Sequence, residues 1–376
     1  MINSGTQLDK HKVPYAIYMD YVGQNEMTQL DNVLKADGVV QMAVMPDCHA
    51  GYVSPVGCVL KTDGIVYPAV VGYDIGCGMR TEMIQNLSVE DIRSRAAEIR
   101  DYLAASLNIG IGRSARKLHK NAEYDKAFGE YSIDVGSLGG GNHFLEIGYD
   151  EEEGRVFITV HTGSRGYGHK IGTKHMKVAA DIHKSMVAEA MHGLSAKDHP
   201  EEFQAYLVDY SSAIEFAYAN REVIMSNAIA CLSTLFKKDV KAEKVGECLH
   251  NMLQVNHYGT YYLHRKGATV AGPSNIVIIP GNMRDGIVIG EGLSNSAGLY
   301  SCSHGAGRIL SRSQAKTQIS LEQFAESMKT VPGAMVTKKT IDEAPDAYKN
   351  IDEVMANQRD LVRELFRIKP LVNIKG

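Results

Sequence analysis

Five glycine-flanked clusters carrying histidine or cysteine, spread between residues 73 and 308, constrain this chain more than any other feature. Two lie close together: GGGNHFLE at 139–146 and VHTGSRGYGHK at 160–170. In the second, a histidine leaves an apolar, strand-like run (156–160) and meets a small-residue turn with Ser164 and Arg165. A histidine at the mouth of a strand is held rigidly, and glycines let a phosphate or metal approach the backbone. The other clusters are YDIGCGM (73–79), VNHYG (255–259) and SHGAGR (303–308). If all five meet, they build one metal and phosphate site.

Asp74 and Cys77 stand at i and i+3 among glycines, so both can point at one ion. Carboxylate, thiolate and imidazole together suit Zn, Mn, Fe or Co, and a thiolate can bridge two ions. A single such cysteine is more often a small buried residue. The matching turns around His143, His161 and His257 shift the weight toward a ligand. In SHGAGRILSR, His304 precedes two glycines, and Arg308 and Arg312 share a face if a helix starts there. Backbone amides and two guanidiniums make a phosphate cradle, and a neutral imidazole beside it can act as a nucleophile. The plainer reading is a helix N-terminus with an exposed histidine. His49, framed by Pro46, Asp47 and Gly51, is equally a structural turn or a neighbour of the site. His11, His119, His169, His175, His183, His192, His199, His250 and His264 read as solvated polar positions. Cys48, Cys58, Cys231, Cys248 and Cys302 read as packing residues.

Between the clusters the pattern is mixed. Met27, Leu30, Val33 and Leu34 have helical spacing, and 88–107 predicts a helix capped by Ser88 with Asp91 at the third position. The runs at 39–62 and 65–84 alternate β-branched residues with Gly and Pro, which suggests hairpins; no long helix separates them, disfavouring a doubly wound sheet. Residues 151–154 predict a hairpin tip, 174–238 a mainly helical segment with a start at Pro200, and 350–370 a helix before a short terminal strand. Without a repeat or linker, residues 1–376 are expected to form a single large α+β domain with mixed, largely antiparallel sheets flanked by helices.

A net charge of −4 excludes a wholesale basic surface, so a polyanionic partner needs a local cationic patch. Arg113, Arg116, Lys117 and Lys120 form either a solvated loop or such a contact. No apolar run approaches the roughly 20 residues that span a bilayer. Six cysteines without CxxC spacing, and no signal sequence, predict free thiols in the cytoplasm.

The motifs PDCHAG, GYDIGCGM, GSLGGGNHFLE, HTGSRGYG, EFAYANRE, VNHYG, SHGAGRILSR, DEAPDAYKNIDEV and a terminal IKG stand in this order. As a set, the chain resembles the RtcB family of RNA-splicing and RNA-repair ligases over essentially its whole length. The resemblance implies joining of RNA 3′-phosphate or 2′,3′-cyclic phosphate ends to 5′-hydroxyl ends, with GTP and two Mn²⁺. It implies that Asp74, Cys77 and His143 hold one ion, that Cys77 bridges to a second held by His161 and His257, and that His304 takes GMP. It further implies nucleotide contacts from Asn142, His143, Glu146, Asn256, Pro280, Gly281, Asn282, Met283, His304, Gly305, Ala306, Gly307 and Lys375. Arg165, Arg308 and Arg312 would face phosphates of nucleotide or RNA. The loop PGNMRDGIVIG departs from the family's usual GSMG turn, which bears on guanine preference. A dinuclear phosphoesterase that opens cyclic phosphates without ligation is the alternative.

Overall fold

The computed structural model describes residues 8–109, 121–255 and 260–376. Its framework is a seven-stranded sheet. In spatial order the strands are Ala242–Leu249, Gly78–Ile84, Val156–Thr162, Phe144–Tyr149, Val362–Lys375, Ile287–Gly292 and Ile276–Pro280. Every neighbouring pair is antiparallel. A second sheet of five strands runs Tyr15–Ile17, Val39–His49, Val56–Asp63, Tyr261–Lys266, Asn251–Val255, with one parallel pair at its first edge. The fold is α+β with largely antiparallel sheets, as the hairpin punctuation predicts. Among the described residues no helix is long and apolar enough to cross a membrane.

Period-two alternation divides the large sheet into two faces. Leu145, Ile147, Ile158 and Val160 point to one side, where they meet Ile99 and Leu103 of helix Ala96–Ser106 and Ile224, Met225, Ala228 and Leu232 of helix Pro200–Phe236. Phe144 and Phe157 point to the other side with Met79, Ile278 and Ile289. His161 shares that second face with Phe157 and emerges where the strand ends.

Several boundaries differ from the sequence expectation. The helix expected over 88–107 is two helices, Val89–Ser94 and Ala96–Ser106, because Arg95 leaves the helical region between them (φ −119°, ψ 17°). Ser88 nonetheless caps the first through a full capping box with Asp91. Within the helical segment, Arg165–Ile182 and Pro200–Phe236 are separate helices, and the second runs 37 residues without a break. The helix expected over 350–370 stops at Ala356, and Val362–Lys375 is a 14-residue strand. Its first half, 362–368, pairs with Ile287–Gly292, and its second, 369–375, with Phe144–Tyr149. That pairing outweighs the local helical pattern, and Pro370, which cannot donate, sits at a bulge.

Two fully buried polar residues midway along the long helix tie the frame to its loops. Asn220 accepts from the Gly136 and Ser137 amides (2.8 and 3.0 Å) and donates to the Ser137 and Gly163 carbonyls (3.1 and 3.0 Å). Arg221 donates to the carbonyls of Gly76 (2.8 Å) and Thr162 (3.0 Å) and pairs with Glu247 (2.8 Å). Three loops from distant parts of the chain are thus held by adjacent side chains. Arg221→Ala strips these donors from buried acceptors and from Glu247, so urea unfolding is expected to show a loss of about 3–5 kcal/mol.

Candidate active site

Each candidate side chain sits where a strand ends or a turn begins. Asp74 and Cys77 occupy the turn between the short helix Pro68–Val71 and strand Gly78–Ile84, with Gly76 at φ 74°. The Cys77 amide donates to Asp74 O (3.1 Å), and the His250 amide donates to Cys77 O (2.9 Å). His143 immediately precedes strand Phe144–Tyr149, and His161 lies near the end of Val156–Thr162. His250 lies between strands Ala242–Leu249 and Asn251–Val255.

These residues converge in the interior. Cys77 Sγ is 3.5 Å from His143 Nε2 and 3.4 Å from His161 Nε2. His143 Nε2 is 3.0 Å from Asp74 Oδ2, and His161 Nε2 is 3.2 Å from His250 Nε2. Cys77, His143 and His161 alone form a buried group whose ligand atoms all lie within 4.8 Å of one another. The other ring nitrogens are taken. His143 Nδ1 donates to the Leu138 carbonyl (2.9 Å) and His161 Nδ1 to the Asn142 carbonyl (3.1 Å). With the Nδ1 atoms so engaged, both Nε2 atoms point into the cluster, where His143 Nε2 bonds Asp74 by a proton that a bound ion would displace.

Electrostatics agree. Burial, then the neighbouring His143, pushes His161 below the usual imidazole range; burial, then His304 and His161, does the same to His250. Burial would raise Asp74, but its bond to His143 and the charges of His143 and Arg165 outweigh that and hold it below the usual carboxylate range. Burial, then Asp74, pushes the Cys77 thiol up. Asp74 Oδ1 is buried without a partner. A divalent cation fits this donor set: it satisfies the inward-facing nitrogens and the orphaned oxygen, and it reverses the bias against thiolate.

His304 faces the same space. Its Nδ1 is 2.6 Å from Asp47 Oδ2, which also accepts the His304 amide at 3.0 Å, and Asp47 is wholly buried. With Nδ1 held, Nε2 is the nitrogen left for chemistry. The His304 and His250 ring centroids are 4.8 Å apart.

A cavity of about 830 Å³ opens from this cluster. Asp74, Cys77, Asn142, Glu146, His161, the 280–283 loop, His304 to Gly307, Arg308, Arg312 and Lys375 all line it. His143 and Arg165 line a neighbouring groove of about 650 Å³ that shares Asp74 and Asn142. Arg165 starts its helix at φ 52°, with its guanidinium laid over Gly139, where a Cβ would clash at 2.1 Å. Asn256 and His257, and the basic cluster at 113–120, lie outside the described residues.

Some expectations are corrected. Arg308 and Arg312 do not share a helix face, because Ser311 caps a helix that begins only at Arg312. Both are held by protein acceptors: Arg308 by Asp342 O (2.6 Å) and Arg312 by Asp342 Oδ2 (2.8 Å) and Glu343. Lys375 also binds Glu343 (2.8 Å). Burial would raise Glu343, but Lys375 and Arg312 hold it down at about 2. In the 280–286 loop, Asn282 Oδ1 accepts the amides of Arg284 and Asp285 (both 3.0 Å), so the departure from GSMG builds a self-contained turn. Glu146, pushed up to about 8 by burial, accepts from Asn373 (2.6 Å), while its Oε1 is buried without a partner.

His250 is not a solvated position: it is 2% exposed and completes the cluster. Its signal was available, since LHN follows a strand-like run as VNH does. Asp47 was missed because only the fold reveals its partner. His264 and His175 are also buried, His264 accepting the Tyr67 amide (2.9 Å) and His175 bound to Asp209 (2.7 Å). His49 both bonds its own turn, at Asp47 O (2.9 Å), and lines the cavity. All six cysteines are free.

The sequence is similar to those of known proteins. The model of the family described as tRNA-splicing ligase RtcB matches residues 29–132 and 119–376. The chain is 35% identical to an RNA-splicing ligase RtcB of Escherichia coli, over 93% of each chain. It is 28% identical to one from Mycobacterium tuberculosis, covering 93% of this chain and 100% of that protein. It is 27% identical to a tRNA-splicing ligase RtcB of Aeropyrum pernix, over 97% of this chain and 95% of that protein. The chain belongs to the RtcB family.

Proposed function

We propose that this chain is an RNA ligase that seals 3′-phosphate or 2′,3′-cyclic phosphate ends to 5′-hydroxyl ends, using GTP and two Mn²⁺, with His304 as the guanylate carrier. The observation that carries the reading is His304 fixed by Asp47 through Nδ1, its ring 4.8 Å from that of His250, at the edge of a cluster of candidate metal ligands. The cluster has two lobes that share Cys77. Asp74 and His143 stand on one side, His161 and His250 on the other. That division would suit two ions, one held by Asp74 and His143 and the other by His161 and His250, with Cys77 in reach of both lobes and His250 in the role expected of His257. Bound there, a pair of Mn²⁺ would neutralise charge on the transferring phosphoryl group and on the leaving pyrophosphate.

The protein's part in the chemistry follows from its own atoms. Asp47 holds the His304 proton on Nδ1, so the Nε2 lone pair attacks the α-phosphate of GTP. An N–P bond forms, the bond to pyrophosphate breaks, and Asp47 offsets the positive charge that develops on the ring. The guanylate then passes to the RNA 3′-phosphate, returning a neutral His304, and the 5′-hydroxyl displaces GMP. Glu146 Oε1 and Asn373 Oδ1 are buried without partners and belong to residues lining the cavity, so they suit the N–H donors on the guanine edge. Arg165, near His143, is available to an RNA phosphate. Free thiols and GTP dependence both fit a cytoplasmic setting, and the chain reads as one ligase domain throughout.

Incubation with Mn²⁺ and α-labelled GTP is expected to give an acid-labile protein adduct that His304→Ala lacks. An adduct that persists in the variant removes the nucleophile assignment, and phosphate release without any adduct points to a phosphoesterase. Asp47→Asn keeps the shape but frees the tautomer, so adduct formation is expected to slow by roughly 10²–10⁴-fold in single-turnover measurements. His250→Ala is expected to retain one Mn²⁺ and lose the second after dialysis, as read by metal analysis. Retention of both would exclude His250 as a ligand.

A further inference from the structure

Four lysines and arginines line the main cavity: Lys266, Arg308, Arg312 and Lys375. Three are engaged with one acidic pair. Arg308 binds the Asp342 carbonyl, Arg312 binds Asp342 and Glu343, and Lys375 binds Glu343. Lys266 is different. Among the described residues no carboxylate comes within 4.0 Å of its ammonium, and no hydrogen-bond acceptor holds it.

Its position is built by the sheet. Lys266 ends strand Tyr261–Lys266 and lies in register between Cys58 on one neighbouring strand and Asn251 on the other. Asn251 follows His250, and its side chain accepts the Gly267 amide (3.0 Å) and donates to Asp74 O (3.3 Å). A Cβ on Gly267 would come within 3.0 Å of His304 Cε1, which places the backbone at Lys266 beside the proposed nucleophile. The ammonium itself lies over Gly72, 3.0 Å from where a Cβ would stand, two residues from Asp74. Burial pushes Lys266 down to about 8, against the weaker upward pull of Cys58 and Glu189. The ammonium is partly buried with no counter-ion among the described residues, and a phosphate brought by substrate supplies one.

We propose that Lys266 is a substrate-phosphate anchor in the cavity shared by the metal cluster and His304, at a point where no protein carboxylate meets it. The identity of the phosphate rests on the ligase reading: it is either the β,γ-phosphates of the nucleoside triphosphate or the terminal phosphate of the RNA. Lysine suits this task because it acts as a compact point charge and tolerates a depressed pKa.

The test compares wild type, Lys266→Met and Lys266→Arg in the presence of Mn²⁺. Two probes are used: inorganic pyrophosphate, and a short RNA ending in a 3′-phosphate measured against the same RNA ending in a 3′-hydroxyl. Methionine keeps the stem and removes the unpaired charge, so the variant is expected to melt no lower than wild type. Binding of one probe is expected to weaken by about 10-fold or more in Lys266→Met, with Lys266→Arg recovering most of it. Loss for pyrophosphate assigns the nucleotide tail, and loss of the 3′-phosphate preference assigns the RNA end. If Lys266→Met binds both probes within about 2-fold of wild type, the proposal is wrong. The adduct assay is separate: should wild type form no adduct, the ligase reading falls while this comparison still decides Lys266.

Discussion

Ligand atoms crowded together at the wall of a cavity are the condition on which the rest of this structure depends. His143 Nε2 stands 3.0 Å from an Asp74 oxygen, and His161 Nε2 stands 3.2 Å from His250 Nε2. The Nδ1 atoms bond the Leu138 and Asn142 carbonyls, which aims both Nε2 atoms inward, His143 Nε2 onto Asp74 and His161 Nε2 onto His250. In a low-dielectric interior such atoms repel one another unless a shared proton or a cation sits between them. The cost is borne by the frame. Asn220 and Arg221 pin three loops at their backbones, so the ligand atoms cannot drift apart to lower the repulsion.

The same rigidity explains how a histidine 257 residues from its partner is held in one orientation. One oxygen of Asp47 accepts both the amide and the ring N–H of His304. The approach is close enough that a Cβ on Gly307, which sits at φ 77°, would meet the Asp47 carbonyl at 2.3 Å. A Cβ on Gly57 would meet the Asp47 side chain at 2.9 Å. Glycine is needed at these two points because two backbone segments pass through the same small volume. The glycine-rich motifs around the nucleophile therefore serve packing as much as substrate approach.

The clusters that carry chemistry were legible because local signals defined them: a strand-like run, a small-residue turn, a histidine or cysteine at the junction. Asp74, Cys77, His143, His161 and His304 were all found in that way. What was not legible depends on partners. His250 carried the same local pattern as His257, and only the packing of its ring against His161 and His304 sets it apart. Asp47 was visible in PDCHAG, but its task is assigned by a contact the sequence does not encode locally. The strand Val362–Lys375 was read as helix over half its length, since its pattern is set by two flanking strands rather than by its own periodicity. Arg308 and Arg312 were expected to await phosphate, whereas the acidic pair at Asp342 and Glu343 holds them.

That last difference bears on how a chain with a net charge of −4 handles polyanionic substrates. One wall of the cavity concentrates positive charge and then cancels much of it: Arg312 and Lys375 meet on Glu343, which is 2% exposed and ionised. It ties the terminal residues to the start of helix Arg312–Gln318 along that wall, with modest net attraction for an anion. Elsewhere on the lining, at the end of strand Tyr261–Lys266, an ammonium meets no carboxylate among the described residues. A field that is neutralised at one place and open at another gives an entering phosphate chain a direction. Specificity in such a cavity comes from where the protein leaves charge uncompensated, and the count of arginines along its walls is a poor guide to it.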